Sequence, residues 1–270
     1  MSFFEQFPGK DTLLSAYADK DNGLPGKVNN HIHTPYSFSA FQSVTEAVRK
    51  AVAEDVRILG INDFYVCDGY GEFIDRCVDH GVFPLLNIEL IGINKLDQEA
   101  GIRVNDPGNP GRTYISGKGL AFPSIMPDSQ ADKLNSVIEE SNKQVAGMIR
   151  LLNEYLEKQE VDIVLSVEEI MEKTAVNLLR ERHVAQMLRM KLEAKAESDL
   201  EFYELLNAVY AGASFQKKRS DIAGTEDELR AKLLKSGAPA FVPEDEKAFL
   251  PLEEIIEIIE DAGGIPTYPL

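Results

Sequence analysis

The chain has 270 residues, 44% of them hydrophobic and 27% charged, an ordinary globular balance that allows one large core or two modest ones. No apolar run approaches the roughly 20 residues of a membrane span, the N-terminus lacks the basic start and apolar stretch of a signal peptide, and two cysteines cannot build a disulfide framework. The expected setting is a reduced cytoplasm, and a net charge of −17 repels long nucleic acids and anionic membranes and favours a small-molecule partner.

Taken in chain order, Leu13, Leu14 and Tyr17 share one face of a helix expected over 11–19, which the Gly- and Pro-containing run 22–26 ends. Residues 27–33 read as a first strand. Ser43 starts a helix over 44–54, with Glu46 placed to complete a capping box. The aliphatic run 56–61 reads as a buried strand ending at Asn62 and Asp63, 70–80 as a helix, and 82–93 as a strand with Glu89 inside an apolar stretch. Strand and helix alternate as in βα units, which build a mainly parallel sheet or barrel and collect chemistry at the C-terminal ends of the strands. His31, His33, Asp63 and Glu89 all fall at or near such ends.

Beyond this, 97–111 reads as a loop and 112–120 as a short strand running into Gly117-Lys118-Gly119. Residues 128–234 are strongly helical, with an amphipathic segment over 134–158, a helix led by Ser166 with Glu169 at its third position, and another over 178–196. A helix over 252–262 precedes 263–270, the expected start of a further core strand, so the fold is expected to continue past Leu270. The organisation read from this is an N-terminal extension (1–26), a first barrel part (27–127), a helical insertion (128–235) and a return to the barrel (236–270).

His31-Ile32-His33 carries the most chemical information. In a strand, residues i and i+2 share a face, so both imidazoles converge on one point, as two ligands to a metal or two donors to a phosphate do. Glu89 completes a two-histidine, one-carboxylate set able to hold one metal with open positions, or it pairs with Lys95 or Arg57 instead. Asp63 is a further ligand, a residue that orients a ligating histidine, or a turn residue. Lys118 between glycines could contact an anion. Arg180, Arg182 and His183 lie on an expected helix and either bind a substrate phosphate or form a solvated basic face. His80, ahead of Gly81, suits a helix C-terminus, and Cys67 and Cys77 have no metal-like spacing with the histidines.

These residues resemble the PHP family, the polymerase and histidinol phosphatase metal-dependent phosphoesterases, whose fold is a distorted βα barrel. His31-Ile32-His33-Thr34 resembles the opening His-x-His-Ser/Thr motif, Gly60-Ile61-Asn62-Asp63 the Gly-Ile-Thr-Asp-His motif, and Asn87-Ile88-Glu89 the Gly-Val-Glu motif with Glu89 as ligand. The run 263–269 resembles the Gly-Gly…Ala-His-Pro strand. His183-Val184-Ala185 and 237–243 are similar to elements of the branch containing nucleoside-bisphosphate phosphatases. The resemblance covers most of 27–270.

The departures fall on ligand positions. Phe38 stands where that branch has an acidic ligand, Phe64 where the second motif ends in His, and Tyr114 and Tyr268 where two further histidines are expected; the last motif, Asp-x-His, is not within 1–270. The resemblance therefore implies an α/β barrel with a divalent metal (Mn, Zn or Fe) on His31, His33 and Glu89, fewer ions than typical members hold, Asp63 as a catalytic residue, and Lys118, Arg182 and His183 as substrate-binding residues. Two functions remain open: hydrolysis of a small phosphate ester, such as a nucleotide or sugar phosphate, or a PHP-derived binding or regulatory module that has lost catalysis.

Overall fold

The computed structural model describes residues 3–9, 11, 12, 15 and 26–268, so the helix expected over 11–19 lies largely outside the described residues. The chain forms two compact units: a sheet unit of Met1–Thr34, Phe41–Lys133 and Leu250–Leu270, and a helical unit of Pro35–Ala40 and Leu134–Phe249. The helical unit thus takes in 35–40 and also 236–249, a stretch that the sequence places with the barrel. No helix of the described residues is long and apolar enough to cross a membrane.

The sheet unit is built from β1 (Lys27–Ile32), β2 (Val56–Phe64), β3 (Phe83–Ile93), β4 (Arg112–Lys118), β5 (Leu250–Pro251) and β6 (Ile265–Thr267). The order is β1-β2-β3-β4-β6, with β5 paired to the end of β3. β1, β2 and β3 run parallel, joined by α1 (Val44–Ala53) and α2 (Tyr70–Asp79). The Ser43 hydroxyl caps α1 by accepting from Glu46 N at 3.1 Å, while the Glu46 carboxylate accepts from Gln42 N, one residue earlier than the expected capping box places it.

β4 breaks the expected parallel pattern by running antiparallel to β3, and β6 runs antiparallel to β4. The link between β3 and β4 accounts for the reversal. A parallel crossover needs a dozen or more residues that carry the chain back to the other end of the sheet. Here the run expected to be a loop contains a five-residue helix, α3 (Lys95–Glu99), capped by Asn94. Asn94 N then donates to Gly111 O at 2.8 Å, so β4 starts beside the end of β3. Gly111 fits this closure, with φ +72° and a would-be Cβ only 2.5 Å from Asn94 O. Among the described residues the sheet is open, so the barrel expected from the sequence is not closed here.

In-register pairing separates the sheet's two faces. Asn62, Asn87 and Lys118 are mutual partners, as are Phe64, Glu89 and Ser116, so all six share one face. The alternate positions Ile61, Ile88 and Gly117 carry the other, apolar face. There α9 (Leu252–Asp261) packs through Ile255 and Ile259 beside Gly92 and Gly117.

The helical unit contains most of α4 (Asp128–Lys158) together with α5 (Val167–Lys173), α6 (Glu181–Lys195), α7 (Asp199–Val209) and α8 (Ile222–Leu233). Its own core includes Leu152, Leu156, Ile170, Leu188, Phe202 and Leu229. Ser166 caps α5 by accepting from Glu169 N at 3.1 Å, as its sequence spacing predicts. Asn153 holds Leu165 by both backbone groups. At the start of α6, His183 Nδ1 accepts from Arg180 N at 3.2 Å, satisfying a helix N-terminal donor. Burial, with Arg180 and Arg182 adding repulsion, pushes the His183 imidazole down to about 4.

Two outcomes follow. A methyl on Gly117 would lie 2.9 Å from Ile259 carbons and 3.1 Å from Ile88, so Gly117→Ala is expected to lower stability by about 1–3 kcal/mol in urea titration. The unfolded His183 takes up a proton below its ordinary value of 6.5 while the folded one resists until about 4. Stability therefore falls as pH drops across that window, by an amount on the order of 2–3 kcal/mol. His183→Gln, which retains an acceptor for Arg180 N, is expected to flatten this part of the Tm profile measured against pH.

Candidate metal centre

β1 ends at Ile32, and its last residues place His31 and His33 on the same side as Asn62 of β2, with Ile32 on the opposite side paired to Ile61. The two imidazoles meet edge to face, centroids 5.2 Å apart and planes at 75°. Their Nε2 atoms each lie 3.2 Å from one oxygen, Glu89 Oε2. Glu89 is buried in the middle of β3. The expected alternative pairings do not occur, because Glu89 bonds to His31, His33 and Asn62 while Arg57 pairs with Asp55.

Among the described residues, His31, His33 and Glu89 are the one group of three or more metal-competent side chains that converges, its ligand atoms all within 4.8 Å of one another. Two ligand bonds of about 2.1 Å meeting at tetrahedral or octahedral angles span about 3.0–3.4 Å. The two 3.2 Å nitrogen–oxygen separations match that span. The donor set also suits a borderline divalent cation: two imidazole nitrogens and a carboxylate oxygen. Burial alone would raise the Glu89 carboxyl, but the bonds to His31 and His33 outweigh it and hold its pKa below the usual value. Glu89 is thus ionised at neutral pH.

Polar groups that the sequence reading did not single out support the triad. Asn62 Nδ2 lies 3.0 Å from His31 Nε2, 3.2 Å from Ser116 Oγ and 3.4 Å from Glu89 Oε2. Asn87 Nδ2 donates to Asn30 Oδ1 at 2.9 Å. Gly60 makes room for that pair, since a Cβ there would sit 2.3 Å from Asn30 Oδ1 and 2.6 Å from Asn87 Nδ2. The available signal was period-two spacing: Asn62 lies two before Phe64, and Asn87 two before Glu89, in otherwise apolar strands.

The other residues singled out from sequence take different places. Asp63 lies within β2, not after it, and faces away from Asn62 and Phe64. Its Oδ1 accepts from Thr34 N at 2.7 Å and its Oδ2 from the Thr34 hydroxyl, so it anchors the residue that follows His33. Lys118 donates to Asn30 O at 3.0 Å and Asn62 Oδ1 at 3.1 Å. Burial lowers its ammonium pKa, with the Glu89 charge opposing. Arg182 and His183 belong to the helical unit. There the Arg182 guanidinium lies 5.5 Å above the Phe38 ring, and His183 is buried as the helix acceptor described above. Both cysteines are thiols, pushed by burial up to about 11 for Cys67 and about 12 for Cys77.

Aromatic residues stand at four of the positions at which the resemblance expects ligands: Phe38, Phe64, Tyr114 and Tyr268. Phe64 stacks on His33, with centroids 5.0 Å apart and planes at 3°. Tyr114 meets Phe64 edge-on at 6.1 Å. Tyr268 is exposed. Tyr65, next to Phe64, is buried with φ +62°, a conformation costly for a non-glycine residue, and its N donates to Glu89 O at 3.1 Å. This ties the exit of β2 to the backbone of Glu89.

No sequence-family profile and no curated protein sequence matches the chain. Solved structures do resemble it. One is a candidate metal-dependent phosphoesterase from Bifidobacterium adolescentis, with TM-score 0.53 and 13% identity over 90% of this chain and 67% of that one. Another is an amidohydrolase from Chromobacterium violaceum, solved with bound sulfate and no metal, with TM-score 0.50 and 17% identity over 90% of this chain and 66% of that one. At such identities the likeness is one of fold: this chain has the mixed α/β architecture of these hydrolase structures.

Proposed function

We propose that this chain is a divergent PHP-type metal-dependent phosphoesterase that hydrolyses a small phosphorylated substrate. The observation that carries the reading is the convergence of His31 Nε2 and His33 Nε2 on Glu89 Oε2, each at 3.2 Å. The motif order along the sequence and the likeness to hydrolase structures support it. In this reading the three residues hold one divalent cation, Mn, Zn or Fe. The narrower link to the nucleoside-bisphosphate phosphatases rests only on the motif likeness at 183–185 and 237–243.

A divalent cation bound there supplies Lewis-acid polarisation of a phosphoryl oxygen and lowers the pKa of a water. Ionised Glu89 supplies the negative charge of the ligand set, and the two imidazoles supply neutral nitrogens. His31, whose side chain is 41% exposed, opens the triad to solvent and to an incoming ester. Phe64 closes the His33 side against water. In this reading Asp63, a catalytic or histidine-orienting residue by the resemblance, acts by holding Thr34, the residue that follows His33. The acidic surface favours a small, compact anion over a polyanionic chain.

The second reading, a binding module without turnover, draws on the stacked Phe64 and its neighbour Tyr114 at expected ligand positions. Elemental analysis and a panel of nucleotide and sugar phosphates separate the two. Purified protein is expected to carry Mn, Zn or Fe, and to release phosphate in a manner lost on chelation and restored by Mn. Glu89→Gln and His31→Ala are each expected to lower metal affinity at least about tenfold and to remove turnover. Turnover by metal-free protein that survives His31→Ala would refute the metal-dependent mechanism at this triad, and metal-loaded protein inert across the panel would favour the binding module.

A further inference from the structure

Lys118 reaches across the polar face of the sheet from β4 to β1. Its Nζ donates to Asn30 O at 3.0 Å and to Asn62 Oδ1 at 3.1 Å. An ammonium has three donors and no acceptor, so two of them meet neutral oxygens and the third is left over. Among the described residues Lys118 has no ion pair, and the Glu89 charge acts on it only from a distance. A partly buried cation held by neutral oxygens alone has given up hydration without gaining a counter-ion, which makes it receptive to an anion. The face is open beside it, since its register partner on β6, Ile265, is 68% exposed. One amide joins this ammonium to the triad: Asn62 Oδ1 accepts from Lys118, while Asn62 Nδ2 lies 3.0 Å from His31 Nε2 and 3.4 Å from Glu89 Oε2. The oxygens of a phosphoryl group are spaced much as the oxygen and nitrogen of an amide are, so one such group fits the step from triad to ammonium.

We propose that Lys118 is the second positive centre of the site, taking one phosphoryl oxygen while a cation on His31, His33 and Glu89 takes another, and that the substrate is a phosphate monoester. This role deepens the phosphoesterase reading and rests on it. The substrate class follows from charge. A divalent cation less the charge of Glu89 leaves one positive charge, which already balances the single negative charge of a diester. Lys118 raises the local charge to two, the match for a monoester, which is a dianion above about pH 6. The anion contact expected from the place of Lys118 between two glycines thereby acquires a partner and a preference.

The test starts with metal-free protein, wild type and Lys118→Met, with thermal melting to confirm folding. Inorganic phosphate is titrated at about pH 8, where it is mainly a dianion, while NMR follows the side-chain amide of Asn62 and the backbone amide of Gly119. Wild type is expected to show saturable shifts, at least about tenfold weaker binding of dimethyl phosphate, and at least about a tenfold loss of phosphate affinity in Lys118→Met. Titration with Mn²⁺ supplies a second readout. Removing a nearby positive charge leaves Mn²⁺ bound as tightly or more tightly, whereas removing a merely structural lysine weakens it. With Mn²⁺ loaded, Lys118→Met is expected to lower kcat/KM about a hundredfold for p-nitrophenyl phosphate and less than about fivefold for bis(p-nitrophenyl) phosphate. Absence of a saturable shift in wild type, equal phosphate affinity in both proteins, weaker Mn²⁺ binding in the variant, or equal losses on monoester and diester would overturn the proposal. Phosphate binding that depends on Lys118 in a protein that turns over no ester would defeat the phosphoesterase reading and leave the anion site standing. Turnover untouched by Lys118→Met would do the reverse.

Discussion

Side chains on a strand alternate between two faces, and strands paired in register keep that alternation in step across a sheet. In β2, β3 and β4 this constraint puts Asn62, Asn87 and Lys118 in one row and Phe64, Glu89 and Ser116 in the next. A slip of one residue in β3 would exchange Glu89 for Ile88 and dismantle the triad, the amide network and the seat of Lys118 together. The register is itself fixed from the other face, where the apolar residues pack under α9 and leave no room for even a methyl on Gly117. The polar site is therefore specified by hydrophobic packing on the opposite side of the same strands.

The pleat also explains why two neighbouring carboxylates have different fates. Glu89 and Asp63 sit on adjacent strands but on opposite faces. Glu89 is buried facing the histidines, which supply the hydrogen bonds that a buried charge requires. Asp63 is buried facing the turn after His33, where the Thr34 backbone and hydroxyl satisfy it. One acid builds the ligand set and the other fixes the chain segment that presents it. Each is stable only because its own face provides donors.

Much of this was readable along the chain, for reasons that can be named. Ser43 and Ser166 mark their helices because a hydroxyl accepting from the third amide is a local interaction. His31 and His33 meet because their spacing matches the strand period. The direction of β4 was not readable, since an apolar stretch carries no sign of its orientation and the reversal depends on the Asn94–Gly111 closure. Asn62 escaped notice beside the more conspicuous Asp63, because choosing between neighbours requires knowing which face is buried against what. His183 suits either a phosphate contact or a solvated basic face by sequence; in the fold it is buried with Nδ1 accepting at a helix terminus, a use that only burial reveals.

The parallel stack of Phe64 on His33, 5.0 Å between centroids, has a consequence for the entropy of the site. An imidazole free to rotate gives up that freedom when it ligates, and the loss is subtracted from the affinity gained. With a flat aromatic ring against it, His33 has already lost the rotation during folding. The ring that stands in place of a potential ligand thus stiffens His33, so that a cation binding at the triad would have less disorder there to remove.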